Sequence, residues 1–391
     1  MGDEGRNIVI LREERVHMGE QRFKALGTES FFGRFVYERI VPRDHFLVKL
    51  AEVIDWEAFV PILLPAYAGQ AQEGRPPYSP EIALKMLVIA YLYGLSERQT
   101  EEVVNYHLPV KEFVGLAVDE PAPDHSTLCL FKRRLADAGY WSHFEAVSDG
   151  ILTQARQAGI KLGPIQVVDS VHTEADVDRD ADRERQARGK PPRDPQARVV
   201  KKGKRRQTEP AGTVVEKEMR YLGYKSHVSL NAETGLITSV HPTPGNAADN
   251  KQFLKLLAHD EQVGVDAPIY AADRAYDDTE LHQALWDSQK YSALQLNDYR
   301  TQKRDDNKEI WAALSAMPEY QQGREERYKV ERKFGEAKRW HRFGRCRYLG
   351  LWRYGIQAFL TTIALNVKRI VYLLTRVRFR APSRKDRLAL A

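Results

Sequence analysis

Two hydrophobic periods divide this chain. From residue 36 to about 150 the apolar positions recur at helical spacing, whereas from residue 164 they fall into short runs and alternations of strand type. Ser79-Pro80 is a strong helix start, a capping hydroxyl followed by proline at the first helical position. Residues 82–93 are apolar nearly all round, which places that helix at the centre of a core, and Gly94 ends it. Ser96 and Gln99 have capping-box spacing and open a second helix through Tyr106. Residues 109–116 form a third, short one. The run from Ser126 to Leu135 begins a fourth, with Lys132, Arg133 and Arg134 on its outer face. Such a succession is compatible with helix-turn-helix DNA binding and with a plain helical bundle; the three clustered cations favour DNA contact. Residues 1–35 read as an irregular arm.

Beyond residue 160 the pattern predicts a strand at 165–169, then an alternating strand at 223–231 that turns at Glu233-Thr234-Gly235 into a partner at 236–241. A helix follows at 246–258, a buried strand at 268–273, a helix at 279–288 and a strand at 291–297. Two long helical stretches, 323–340 and 351–376, come next. The fold class is α/β, a mixed sheet flanked by helices over 160–376, preceded by an all-α domain over 36–150 and followed by a basic tail at 377–391. Residues 174–220 interrupt the sheet. They are almost all charged or turn-forming and read as a mobile surface insertion with no core of its own. Six Lys/Arg fall within residues 198–206, among them Lys201, Lys202, Lys204, Arg205 and Arg206. They suit either a solubilising loop or contact with a phosphate backbone.

Composition sharpens the choice of partner. Hydrophobic residues make up 42% of the 391 and charged residues 29%, which fits a globular, highly charged protein rather than a disordered one. Net charge is +6, but residues 321–391 hold 19 Lys/Arg against 5 Asp/Glu, so the excess sits at one end and points to a nucleic acid there. Cys129 and Cys346 lack metal-ligand spacing, which excludes a zinc site or disulfide framework and fits a reducing cytoplasm. The N-terminal residues have neither the basic nor the apolar region of a signal peptide, and Arg6 stands where myristoylation needs Ser or Thr. No apolar run approaches the ~18 residues of a membrane span, so no membrane partner is expected.

Three carboxylates carry the candidate chemistry. Asp169 ends the apolar run 164–168, Asp273 ends the run 269–272, and Glu331 lies in a basic helical segment. Acids at buried strand tips are costly to desolvate without a compensating cation. Three on one fold suggest a divalent-metal site with oxygen ligands, for which Mg²⁺ is the natural occupant. Adjacent strands lie ~4.8 Å apart, so two strand-tip aspartates can bridge two metals ~3.5–4 Å apart and support in-line attack on phosphorus. At ~3.6 residues per turn, Arg327, Glu331 and Lys338 share one helix face, while Glu336 and Glu326 point elsewhere.

Three blocks resemble bacterial insertion-sequence transposases of the DDE superfamily, the broad insertion-sequence four/five group. Residues 167–173 are similar to the first-aspartate block. Residues 270–276 are similar to the second, which typically reads Asp-x-Gly/Ala-Tyr. Arg327, Glu331 and Lys338 fit the third, in which Tyr, Arg, Glu and Lys recur at fixed spacing. The family tyrosine falls on Arg324, and Tyr328 is out of register. Residues 223–227 and 244–249 also look like family core segments, and the likeness spans about 79–375. It implies a ribonuclease H-like core whose Asp169, Asp273 and Glu331 hold two Mg²⁺ ions, with Mn²⁺ a workable substitute. Arg327 and Lys338 would bind DNA beside them, and Lys225 and Asn246 would serve as secondary phosphate ligands. The implied partners are double-stranded DNA, as terminal inverted repeats and as target, and a second copy in a dimeric or larger synaptic complex. The implied location is the bacterial cytoplasm, at the nucleoid. His172 and His227 read as structural more readily than as DNA contacts. Trp340, His341, Trp352 and Tyr354 suit base stacking or core packing. A metal-dependent nuclease without strand transfer would use the same acids. A silent DNA-binding repressor would not need all three intact.

Overall fold

The computed structural model describes residues 23–24, 27, 31–67, 76–208, 214–297 and 308–380. Most of the arm expected at 1–35, and residues 381–391 of the expected tail, lie outside the described residues. The start of that tail is docked: Phe379 packs edge-on against Phe46 at 5.1 Å and Tyr93 at 5.3 Å.

Helices come first: α1 (Phe31–Ile40), α2 (Phe46–Val53), α3 (Pro80–Tyr93), α4 (Glu97–Tyr106), α5 (Leu108–Val114), α6 (His125–Gly139) and α7 (Ser142–Gln157). Local signals set their ends. The Ser79 side chain accepts from the Glu81 N–H, Gly94 takes a left-handed φ of 67°, and Ser96 and Gln99 close a capping box. α3 is buried from Pro80 to Leu92, as its unbroken apolar surface requires. α7 carries the bundle past the expected boundary at 150.

The sheet follows with β1 (Ile165–Glu174), α8 (Arg179–Ala187), β2 (Arg198–Thr208), β3 (Val214–Asn231), β4 (Ile237–Pro244), α9 (Asn250–Gln262), β5 (Ile269–Ala272), α10 (Thr279–Asp287) and β6 (Tyr291–Leu294). The remaining helices are α11 (Lys308–Ala316), α12 (Pro318–Glu326), α13 (Tyr328–Trp340) and α14 (Leu351–Thr375). Among the described residues the strands lie in the order β4-β3-β1-β5-β6, with β3 antiparallel to both its neighbours β4 and β1, and β5 and β6 parallel to β1. This open mixed sheet with helices on both faces is the ribonuclease H-like arrangement.

The segment 174–220 departs from expectation. Asp178 caps α8 by accepting from the Asp180 and Ala181 N–H groups. β2 then pairs with the first half of β3, from Arg198 opposite Gly223 to Thr208 opposite Val214. A two-stranded ribbon satisfies its backbone through pairing and needs no buried face, so a charged sequence can form it. Gly223 and Gly245 let the chain cross where this ribbon joins the sheet. A Cβ on Gly223 would overlap the Thr173 carbonyl oxygen, and one on Gly245 would come within 2.7 Å of the Arg198 carbonyl oxygen.

Alternation along β1 and β3 divides the sheet's neighbours. On one face Val168 and Tyr270 pack with Phe253, Leu256 and Leu257 of α9 and Leu285 of α10. On the other, Tyr354 of α14 hydrogen-bonds Thr173 and Ser226 and stacks on Tyr224 at 4.9 Å. α14 also contacts α2, α3 and α7, so bundle and sheet share one continuous core. Contrary to expectation, α14 is long and apolar enough to cross a membrane by length and composition. With 67% of its most apolar window buried inside the protein, it has the character of a core helix.

The helix expected at 323–340 is two helices that meet at Arg327. There N–H bonds run three residues back, from Arg327 to Arg324 and from Val330 to Arg327. α12 lies flat on β5 and β6 because residue 323 is glycine. A Cβ there would overlap the Cβ of Ala293. This close seat holds Arg327 and α13 over the end of β1.

Candidate active site

The strand register brings two of the three acids together. β5 pairs with β1 from Ile165 opposite Ile269 to Val167 opposite Ala271. Two residues further along each strand, at the same level, come Asp169 and Asp273. Asp273 caps the short turn Arg274–Tyr276, its carboxylate accepting from the Ala275 N–H at 2.9 Å. The half-buried Asp169 accepts from the Ser170 N–H at 2.7 Å. Burial pushes the Asp169 carboxyl up to about 7. The negative charges of Asp273 and Asp249 add to that shift, while the Ser170 N–H and the Arg327 guanidinium oppose it.

Arg327 connects the pair to the third acid, with its Nη1 3.0 Å from Glu331 Oε1. The Glu331 side chain is 54% exposed. Glu336, five residues on, faces α14. It is ion-paired with Lys333 at 3.1 Å and Lys368 at 2.5 Å. Burial raises its pKa, but the two ammonium groups outweigh burial and hold it down at about 2.

Several expected DNA contacts are engaged elsewhere. Lys225 has a side chain only 12% exposed, on the α9 face of the sheet. Its Nζ donates to Asp249 at 2.9 Å and to the Ala247 carbonyl at 3.1 Å, so it is a structural cation rather than a phosphate ligand. Lys132 is likewise corrected. It is buried, bonded to Glu97 and 2.6 Å from the Tyr348 hydroxyl, where it joins α6 to the segment before α14. Arg134 is partly buried and donates to the Ala66 carbonyl at 3.3 Å, which leaves Arg133 as the exposed cation of that trio. Asn246 and Lys338 are exposed. On the ribbon, Lys201 and Arg206 are exposed and face Glu218 at 3.3 Å and Glu216 at 3.6 Å. Lys202, Lys204 and Arg205 belong to the same strand.

The histidines are structural. His227 is fully buried, 2.9 Å from the Thr243 hydroxyl, and burial pushes its pKa down to about 3. His172 packs on Tyr221 at 5.3 Å. His341 is buried on the Tyr91 carbonyl and Tyr354 lies in the core, whereas Trp340 stays 38% exposed under Arg339.

Two residues near the acids are not singled out from the sequence, although both lie in segments that resemble the family: Tyr276 closes the second-aspartate block and Asp249 ends the segment 244–249. Asp249 sits at the N-cap position of α9 but caps nothing, being held by Lys225. Tyr276 is buried beside Ser170. A Pro-Gly-Asn turn before Asp249 makes it look like an ordinary helix cap in the sequence. Among the described residues, one group of acids and histidine has ligand atoms close enough for a metal: Glu101, Asp124 and His125. It is explained by helix capping. Asp124 caps α6, and Glu101 accepts from the His125 N–H. The relay Asp277–His282–Ser292 is wholly buried and open to no substrate.

A ribonuclease H-like sheet with one aspartate midway along β1, a second just past the end of the adjacent β5, and an arginine, paired with a glutamate, whose charge reaches the first, defines a class of DNA-processing enzymes. Residues 164–367 match the Transposase DDE domain family, and residues 35–134 match the Transposase domain (DUF772) family. The first match covers more than half of the chain, and the chain belongs to that family: it is a DDE-superfamily transposase. Among solved structures it is similar to the piggyBac transposase synaptic complex with hairpin DNA, seen by cryo-EM. The TM-score is 0.43 at 9% identity, over 88% of this chain and 79% of that one. A likeness of that size says nothing of chemistry.

Proposed function

We propose that this transposase binds the terminal inverted repeats of an insertion sequence and cuts and rejoins DNA strands at a two-metal site made by Asp169, Asp273 and Glu331. The observation that carries this reading is the register that sets Asp169 level with Asp273 while Arg327 links Asp169 to Glu331. The donor set fits Mg²⁺, with Mn²⁺ able to replace it. Every candidate ligand is a carboxylate oxygen, and burial, with the charges of Asp273 and Asp249 added, raises the Asp169 carboxyl to about 7, a strain that a divalent cation would relieve. When bound, such ions supply Lewis-acid activation of the attacking hydroxyl and neutralise charge at phosphorus.

The chain's own groups do the rest. Asp169 and Asp273 hold fixed positions because each is tied to a backbone N–H of the following turn or strand. Arg327 pairs with Glu331 and its charge reaches Asp169, which supports its role as the group that meets a phosphate oxygen, a bidentate role suited to a guanidinium. Lys338 extends that positive edge along the same face of α13. The working assembly is a dimer or larger, since two element ends must be joined.

The test is cleavage and joining of a DNA carrying an element end, with Mg²⁺. Wild-type protein should release the end and join it to target DNA. Asp273→Ala should lose several kcal/mol of transition-state stabilisation, about 10³-fold or more in rate, while binding end DNA within a few fold. Robust cleavage by that variant would sink the site assignment. Cleavage without joining in the wild type would identify a plain nuclease.

A further inference from the structure

Helix α13 carries a glycine where a helix least wants one. Gly335 is the eighth of its 13 residues, and apart from proline no residue is less favourable in a helix interior. Other helical glycines have a reason in the fold. A Cβ on Gly150, Gly323 or Gly355 would overlap the Phe59 ring, the Ala293 Cβ or the Trp141 ring respectively. A Cβ on Gly335 would meet nothing within 4 Å among the described residues, and its φ is not positive. Neither packing nor backbone conformation within the described protein calls for glycine there.

The face on which Gly335 opens is set by helical phase. At ~3.6 residues per turn, Tyr328, Glu331, Arg332, Gly335, Lys338 and Arg339 fall within an arc of about 120°, with Gly335 at its middle. All six are exposed, while Val330 and Ala337 are buried on the other side. The end of the helix departs from local preference in the opposite sense. The chain leaves α13 through Arg342, whose left-handed φ of 56° is a conformation that glycine adopts most readily, yet an exposed arginine stands there. A position suited to alanine thus holds glycine, and a position suited to glycine holds a cation. Local rules broken in this way are the mark of a surface shaped for a ligand. Four exposed cations, Arg332, Lys338, Arg339 and Arg342, stand on this side against the single acid Glu331, so the ligand is a polyanion. A glycine admits it to the helix backbone itself, which any side chain would hold away.

We propose that Gly335 is the point at which the DNA strand running from the acid site crosses α13. The sugar–phosphate backbone lies against the helix backbone between Glu331 and Lys338, with Arg332, Arg339 and Arg342 along its track. This deepens, and rests on, the reading of Glu331 as a metal ligand.

The experiment compares Gly335→Ala and Gly335→Leu in the full chain. It reads the rate of end cleavage, Mn²⁺ affinity by calorimetry, and the DNA-free melting temperature and oligomeric state. Alanine should raise the melting temperature by about 2 °C, since it is the better helix former and meets open space, and yet slow cleavage. Leucine should slow cleavage further, by about 10–100-fold, because a misplacement of ~1 Å near a reacting centre can cost about 100-fold. Its Mn²⁺ affinity and DNA-free oligomeric state should match wild type. Normal cleavage by Gly335→Leu overturns the proposal. So does a lowered melting temperature in Gly335→Ala, which would make the glycine a requirement of the fold. Loss of Mn²⁺ affinity in Gly335→Leu would mean that it acts through Glu331, and a shifted oligomeric state would give the face to a second copy of the chain; either result overturns it too. Asp273→Ala keeps the two levels apart. Normal cleavage by that variant removes the acid-site reading, whereas its inactivity beside normal cleavage by Gly335→Leu removes this inference alone.

Discussion

The two faces of α13 hold one glutamate each, in opposite circumstances. Glu336 is wedged against α14 with Lys333 and Lys368 on its carboxylate, so its charge is fully answered inside the protein. Glu331 is more than half exposed and pairs with Arg327, which also answers the charge on Asp169. An acid whose charge is met by two dedicated lysines is a structural element. An acid that shares one guanidinium with a half-buried aspartate, itself beside two further aspartates, belongs to a cluster that carries more negative charge than its surroundings compensate. On the proposed reading, the difference separates a glutamate that holds the fold together from one that takes a cation.

The strongest way to break that comparison is to neutralise each glutamate in turn. Glu331→Gln should lower DNA cleavage by about 10³-fold or more, as expected for a metal ligand, with no loss of melting temperature. Glu336→Gln should keep most of its activity and lose stability instead. Cleavage assays and thermal melts on the two variants read both arms. The reverse pattern, with Glu336→Gln inactive but stable, would show that the wrong face of α13 had been assigned to the site.

How much of this is legible in the sequence differs by element. The caps at Ser79, Ser96 and Gly94 can be read because a single side chain and its own backbone decide them. The two aspartates can be read because an acid closing an apolar run is expensive to bury, although β1 runs on past Asp169 to Glu174, so only Asp273 lies at a strand end. The phase of α13 can be read because four and seven residues are whole turns. Lys132 and Lys225 cannot: each looks like a surface cation in sequence, and only tertiary packing brings Glu97 and Tyr348 to one and Asp249 to the other. The ribbon β2–β3 is hidden because its stability comes from pairing between segments rather than from an apolar stripe. The break at Arg327 is hidden because nothing between residues 323 and 340 is a helix breaker of the proline kind. The seat of Gly323 on β5 and β6 is what shows why α12 ends where it does.

A smaller effect is expected where positive charge faces solvent rather than an acid. Residues 198–208 and 214–223 together hold eight Lys/Arg against two Glu. Two of those cations, Lys201 and Arg206, are already partly answered by Glu218 and Glu216 across the ribbon. Neutralising Lys201, Lys202, Lys204, Arg205 and Arg206 together should weaken binding to end DNA and to unrelated DNA about equally. It should also flatten the salt dependence of log K by up to ~0.9 for each phosphate that the variant no longer neutralises. Discrimination between the two DNAs should survive, since cations on the backbone position a duplex without reading its bases. Titrations at several salt concentrations decide it. An unchanged slope would make the ribbon a solvated ornament, and a selective loss of end binding would make it the reader of sequence.

The smallest effect tests the structural face of α13 by pH. Burial alone would raise the Glu336 carboxyl, yet Lys333 and Lys368 hold it at about 2, below its ordinary 4.5. A depressed folded-state pKa means that the ionised group stabilises the fold. That contribution is complete above the unfolded value near 4.5 and disappears as pH falls toward 2. With the Glu336 side chain 29% exposed, solvent screening reduces the contribution to about 1–2 kcal/mol. His341 faces the same lysine, its Nε2 3.1 Å from Lys368, and burial pushes its pKa down to about 4. Kept neutral in the fold, His341 costs stability as pH falls from its ordinary 6.5 toward 4, but it does so in wild type and variant alike and largely cancels between them. Urea unfolding of wild type and Glu336→Gln should show a gap of about 1–2 kcal/mol at pH 6 that narrows below pH 4.5 and nearly closes only toward pH 2. A gap that stayed constant with pH would mean that Glu336 contributes through packing rather than charge, and the contrast between the two faces of α13 would then lose its electrostatic basis.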